Sequence, residues 1–207
     1  MPNWVKNNVV VSGNVEKIQK FVNECIDKEN RHGEEVAFTF DKVIPMPKSL
    51  NIESSTNVKL GMEYWTATDE RKKEIEEIFT DKEYFDKVVN LGKIALDNKQ
   101  KYGYKDWYDW SVANWGTKWD ACKCSAEIAD DSVSIFFDTA WSSPVLVMLE
   151  LSKKFDVKVS VEFADEDLGN NCGTYTIEKG QMTDFKEGDF EFACEIWGYD
   201  PSELMSD

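Results

Sequence analysis

The chain has one histidine in 207 residues, His32, and it lies in a charged turn, where it reads as a surface-loop residue rather than a catalytic one. With so few nitrogen ligands, and with Cys122-x-Cys124 as the closest cysteine pair, no metal site is expected. The five cysteines, Cys25, Cys122, Cys124, Cys172 and Cys194, are odd in number and form no Cys-x-x-Cys. Cys25 sits on an apolar helical face and reads as core. No Gly-x-Ser-x-Gly elbow and no P-loop occur. The expectation is a protein without enzymatic activity, cofactor or metal. Long apolar runs are missing too. Val9-Val10-Val11 is far too short for a secretory core, and nothing approaches a membrane span. A cytoplasmic protein with reduced thiols is expected. No internal repeat or low-complexity tract is visible.

Positive charge is scarce. Lys+Arg 24 against Asp+Glu 40 gives a net charge of −16, which argues against direct binding to nucleic acid or an anionic membrane. Residues 160–207 hold 13 acidic residues and 2 Lys, a net −11, against −5 for the rest. Asp165, Glu166, Asp167, Glu187, Asp189, Glu191 and Glu195 are the candidate acidic surface. A solvated face that aids solubility is one reading of it. A surface that competes for a basic groove on a partner protein is the other.

What the chain does have is aromatic and apolar content, 13% and 42%, enough to bury a core. The stretch Asn114–Trp141 organises it. Val133, Ile135, Phe137, Thr139 and Trp141 alternate with Ser134, Phe136, Asp138 and Ala140, a period of two that predicts a strand. Lys123–Ala129 reads as its partner, and Asp130-Asp131 as the turn. An antiparallel hairpin brings its open ends together. Trp115, Thr117, Lys118, Trp119, Asp120, Thr139 and Trp141 are therefore the candidate binding residues. They form either a tryptophan seal on the core or a small-ligand or nucleotide pocket. Asp120 and Asp138 are the acid pair that would have to converge for metal-assisted hydrolysis.

In chain order, Val5–Ser12 reads as a strand and Val15–Ile26 as a helix with one apolar stripe, capped by Asn14. Val36, Phe38 and Phe40 alternate as a further strand, followed by extended Val43–Pro47. Residues 49–112 read as a helical, aromatic-rich insertion. Helical pattern covers Asp69–Phe79 and Asp81–Lys99, with Thr80-x-x-Glu83 as a capping box between them. Its aromatic run Tyr102–Trp110 is a base-stacking platform or a packing segment, and interleaved Asp106 and Asp109 favour packing. After the hairpin, Ser142-Ser143-Pro144 starts a helix, apolar almost all round and so expected to be deeply buried. Asp156–Phe163 is a clear strand, and Cys172–Glu178 and Phe190–Ile196 are short strand candidates. The predicted domain map is 1–48, 49–112, 113–164 and an acidic extension 165–207. The predicted fold is α+β: a ferredoxin-like βαββαβ antiparallel sheet with helices on one face, a helical insertion and an acidic C-terminal β extension. Either Val36–Phe40 or Lys123–Ala129 is its second core strand.

Met1-Pro2-Asn3-Trp4, Ile44-Pro45-Met46-Pro47, Asn114-Trp115-Gly116-Thr117-Lys118-Trp119-Asp120-Ala121 and Phe137-Asp138-Thr139-Ala140-Trp141-Ser142 together resemble the YubB-type ferredoxin-like domain family of phages, prophages and plasmids. The resemblance runs to about Phe163. Family members often continue from the last tryptophan with Ser-Pro-Pro, where this chain has Ser142-Ser143-Pro144-Val145. It implies a fold and a genomic setting, and no chemistry. The expected function is a mobile-element accessory protein that binds and inhibits a host protein, of defence or nucleic-acid handling, in the bacterial cytoplasm. The expected partner carries a basic surface.

Overall fold

The computed structural model describes residues 2–27 and 37–204. His32, Gly33 and Val36 lie outside the described residues. The chain divides into two compact units, Met1–Pro45 with Val112–Asp207, and Met46–Ser111.

The larger unit is built on a six-stranded sheet in the order β4-β5-β1-β6-β7-β8, every neighbouring pair antiparallel. The strands are β1 (Trp4–Ser12), β4 (Cys122–Ile128), β5 (Ser132–Ala140), β6 (Lys158–Asp165), β7 (Cys172–Glu178) and β8 (Gln181–Glu187). A separate two-stranded pair joins β2 (Ile26–Asp27) to β3 (Ala37–Phe38). Of the two candidates for the second core strand, Lys123–Ala129 is the one in the main sheet. Phe40 has left the extended conformation for a 3-10 turn at Phe40–Lys42.

Alternation fixes the faces of this sheet. On β1, Val5, Asn7, Val9 and Val11 are buried, and the register sets them beside Thr139, Phe137, Ile135 and Val133 of β5. Helices α1 (Val15–Cys25) and α6 (Val145–Phe155) cover that face with Ile18, Phe21, Val22 and Cys25, and with Val147, Met148, Leu151 and Phe155. Phe21 meets Phe155 edge-on at 5.4 Å. Asn14 caps α1 by accepting from the Lys17 N–H. Burial raises the Cys25 thiol to about 11, so it stays protonated in the core. Helix α6 is less enclosed than its composition suggests, because Leu146 stays 42% exposed and only one stripe is buried.

The C-terminal region departs in part from the expected β extension: Cys172–Glu178 is the expected strand, β7. Residues Phe190–Trp197 form a helix, α7, not a strand. The Asp189 carboxylate accepts from the Phe192 N–H at its start, and Gly198 closes it at φ +76. Its apolar residues pack with Ala164 and Cys172. Ala164 is the register partner of Lys6, so α7 lies on the face opposite α1 and α6. The expectation of helices on one face is therefore corrected. The short α8 (Pro201–Leu204) follows.

The smaller unit carries α2 (Thr56–Thr66), α3 (Asp69–Ile78), α4 (Lys82–Tyr102) and the first residues of α5 (Trp107–Asn114). Helix α2 was not legible in the sequence. Asp81, not Thr80, caps α4, accepting from the Glu83 and Tyr84 N–H groups. Helices α2 and α4 touch backbone to backbone at Gly61 and Gly92. Near the end of α4, Asn98 accepts from Ser49 Oγ at 2.6 Å and donates to the Ser49 carbonyl at 2.8 Å.

Candidate functional site

The open end of the hairpin brings its candidate residues close together but gives them separate tasks. Thr117 Oγ1 donates to the Ala140 carbonyl at 2.7 Å, and Ser142 Oγ donates to the Gly116 carbonyl. These two bonds tie the segment before β4 to the residues after β5. Thr139, fully buried, accepts from Asn7 Nδ2 at 2.9 Å and donates to the Ser142 carbonyl at 2.8 Å. Both threonines therefore hold backbone. Trp115 is 6% exposed, donates from Nε1 to the Ile44 carbonyl at 3.0 Å and meets Phe40 edge-on. It belongs to the core.

Trp141 faces outward, and Trp119 is half-buried. Lys118 Nζ lies 4.4 Å from the Trp119 ring centroid and 5.4 Å from that of Trp141. Trp119 also packs on Trp4 at 5.8 Å. The alternation of β5 predicts Trp141 on the buried face with Val133 and Phe137. Instead the strand stops at Ala140, and Trp141 takes φ +75 with 40% of its surface exposed. A bulky side chain in the left-handed region costs about 1–3 kcal/mol. The backbone is held there by the Trp141 N–H donating to the Asn3 carbonyl, and by its own carbonyl accepting from Asn171 Nδ2, each at 2.9 Å.

Asp120 is engaged by Thr39, Phe40 and Ala121. Its Oδ1 accepts from the Phe40 and Ala121 N–H groups at 2.7 and 2.8 Å, and its Oδ2 from Thr39 Oγ1. Burial pushes its carboxyl above the ordinary aspartate range, and these three donors offset part of that rise. It does not converge with Asp138, which pairs with Lys123 at 2.9 Å. Asp120→Ala strands buried donors and is expected to cost about 2–4 kcal/mol, whereas Asp120→Asn keeps the acceptor for both N–H groups. The raised folded pKa also fixes a sign. The folded state binds the proton more readily than the unfolded chain, so Asp120 favours folding at low pH and loses that contribution as pH rises through its folded pKa. Urea titrations from neutral to acid pH should show wild type gaining stability on Asp120→Asn. A gap independent of pH would contradict this.

The acidic candidates also divide. Asp165 is 5% exposed and accepts from Asn3 Nδ2, Asn171 Nδ2 and the Asp167 N–H. It is an internal anchor, and this corrects its placement on the surface. Glu166 is exposed and accepts from the Trp4 N–H at 3.1 Å. Asp167 is exposed and accepts from Asn170 Nδ2. Asp189 is the cap of α7. Glu187, Glu191 and Glu195 are exposed and, among the described residues, have no ion-pair partner. Glu191 and Glu195 are one turn apart on α7, a like-charge spacing that destabilises a helix, and Glu195 sits in the last turn, where the dipole disfavours an anion.

On the face of the sheet that carries α7, Lys6, Asn8, Lys123, Phe136, Asp138 and Trp197 line a groove of about 430 Å³. None of these except Asp138 stood out in the sequence. Period two puts Lys6 and Asn8 on the solvent side of β1, but the wall supplied by Trp197 required α7 to be read as a helix. No group of three His, Cys, Asp or Glu side chains placed to hold a metal ion occurs among the described residues. Nor is any helix there long and apolar enough to cross a membrane.

Residues 114–203 match the family model described as the ferredoxin-like domain in Api92-like protein. The larger unit is thus a ferredoxin-like domain of mixed α and β structure, on a six-stranded antiparallel sheet. The matched stretch includes β4 to β8, α6 and α7, while β1, at the centre of the same sheet, precedes it. The crystal structure of a protein Api92 from Yersinia pseudotuberculosis is similar, at 13% identity and a TM-score of 0.48, over 91% of this chain and 98% of that one. No curated protein matches the chain.

Proposed function

We propose that this protein is a non-enzymatic binding protein that captures a partner with a basic surface through Glu187, Glu191 and Glu195. The observation that carries the proposal is the placement of Glu191 and Glu195. Both are exposed and without ion-pair partners among the described residues. Glu191, in the first turn, suits the helix dipole, but Glu195, in the last turn, faces both the like charge of Glu191 and the unfavourable end of the dipole. A carboxylate kept at a cost to its own helix, as Glu195 is, is better explained by an external cation than by solubility, which any surface position serves. The resemblance of the tryptophan motifs to YubB-type proteins supports a mobile-element setting. In that setting the partner is a host protein of defence or nucleic-acid handling, met in the cytoplasm. The order β1, α1, β4, β5, α6, β6 is read as the βαββαβ core, and β7, β8 and α7 as an extension that carries the charge.

Replacing Glu195 with Lys tests this with opposite signs in two readouts. Lysine in the last turn of α7 suits the dipole and pairs with Glu191 one turn earlier, so stability should rise by about 0.3–1 kcal/mol. Capture of the partner should fall, and Glu187→Lys with Glu195→Lys should abolish it. Asp189 stays unchanged in this series, since its loss would uncap the helix. Undiminished capture by the double variant would remove the acidic surface from the account.

A second reading, a small-ligand site at the hairpin end, is favoured by the exposed, left-handed Trp141 beside Lys118 and Trp119. It excludes Trp115, which is core. Loss of ligand binding on Trp119→Ala, with stability within about 1–2 kcal/mol of wild type, would favour it.

A further inference from the structure

The open face of the sheet holds a concentration of cation and aromatic surface beside α7, made of residues other than its exposed carboxylates. Lys6 of β1 stands directly across from Asp138 of β5, and Cys122 of β4 stands across from Asp138 on its other side. The register of β4 slips between Cys122 and Ser125, and Lys123 takes φ +49 within that irregularity. A bulge of this kind re-aims a side chain. Lys123 here reaches over the sheet to Asp138, at 2.9 Å, and lies 5.7 Å from the Trp4 ring centroid. The next row pairs Asn8 of β1 with Phe136 of β5, whose ring is 38% exposed. Helix α7 closes one side. Trp197 is fixed by its Nε1 donating to the Ala164 and Asp165 carbonyls, at 3.1 and 3.0 Å, and Lys6 Nζ lies 4.7 Å from its ring centroid.

We propose that this groove binds a nucleoside monophosphate. Its volume suits a small ligand. Phe136 offers a flat exposed ring on which a base can stack, with the Asn8 amide at the base edge to donate and accept. The ammonium groups of Lys6 and Lys123 take the phosphate from both sides of the row. Asp138, 7% exposed, also lines the groove and pairs with Lys123 at 2.9 Å, so two ammonium groups against one carboxylate leave the lining with a net positive charge. The net charge of −16, with Glu162 across from Asn8 and Glu166 near Lys123 outside the groove lining, limits the ligand to a compact anion. A polynucleotide would extend past the two lysines into repulsion. This site is independent of the acidic-lobe reading, and it places the ligand on residues other than those of the second reading.

The test is a titration of the full chain with AMP, followed through backbone amide shifts and tryptophan fluorescence. Saturable binding is expected, with shifts centred on Lys6, Asn8, Lys123 and Phe136. Lys6→Ala with Lys123→Ala should weaken it by at least about ten-fold, and Phe136→Ala, at a half-exposed position, should do the same by loss of stacking. Thermal melts establish that each variant is folded. Adenosine and inorganic phosphate, each lacking half of the ligand, should both bind more weakly than AMP. Absence of saturable AMP binding, or inorganic phosphate binding as tightly as AMP, overturns the proposal. Binding that survives the double lysine variant but is lost in Trp119→Ala overturns it as well and gives the ligand to the Trp119–Trp141 pair.

Discussion

Gly92→Ala is expected to unfold the helical unit. An added methyl would lie 2.0 Å from the Gly61 carbonyl carbon and 2.4 Å from both the Gly61 oxygen and the Met62 nitrogen. All three atoms are backbone, so no side chain can turn aside and the two helices must move apart. Alanine is the better helix former by about 1 kcal/mol, and in an exposed helix the substitution would stabilise. Here the steric term dominates. Overpacking in a closed core ordinarily costs about 1–3 kcal/mol, and a clash this deep with immovable atoms should exceed that range. Gly61→Ala meets the Val88 carbonyl oxygen at 2.2 Å and should behave alike. Far-UV circular dichroism should show lost helix at temperatures where wild type is folded. An unchanged melting temperature would mean that α2 and α4 do not cross at these glycines.

The tryptophans give the second large effect, and its value lies in the contrast. Trp115→Ala removes a buried indole, its bond to the Ile44 carbonyl and its contact with Phe40, so it should cost about 3–5 kcal/mol. Trp141→Gly should cost almost nothing, or stabilise. Glycine adopts φ +75 freely, and the relief of about 1–3 kcal/mol offsets the loss of an indole already 40% exposed. Two substitutions in one sequence cluster would then differ by several kcal/mol in urea unfolding. Equal losses would contradict the division of this end into core and surface.

The division was only half legible in the sequence. The alternation of β5 is strong, and Val133, Ile135 and Phe137 are buried as the period of two requires. Extending that period to Trp141 fails because the backbone turns left-handed after Ala140, a change imposed by Asn3 and Asn171 from distant parts of the chain. The same kind of distant partner buries Asp165, which composition alone places on the surface. Strands β1 and β6 and helices α1 and α4 carry a clear period over enough residues to be read directly, whereas β7 is legible only as a short candidate. Helix α7 does not. Phe190-Glu191-Phe192-Ala193-Cys194-Glu195-Ile196 fits alternation nearly as well as a helical stripe. The deciding features are a cap at Asp189 and a left-handed Gly198 outside that window. Misreading it as a strand hides the wall of the groove, and with it Lys6 and Lys123 as members of one site.

Affinity capture from bacterial lysate at low and at high salt, with mass spectrometry of what is retained, tests the central claim most directly. The acidic-surface account predicts a retained protein with a basic face, released as salt rises because screening weakens contacts between exposed charges, and absent when Glu187 and Glu195 are lysine. A partner held equally at high salt, or held by the lysine variant, would contradict it.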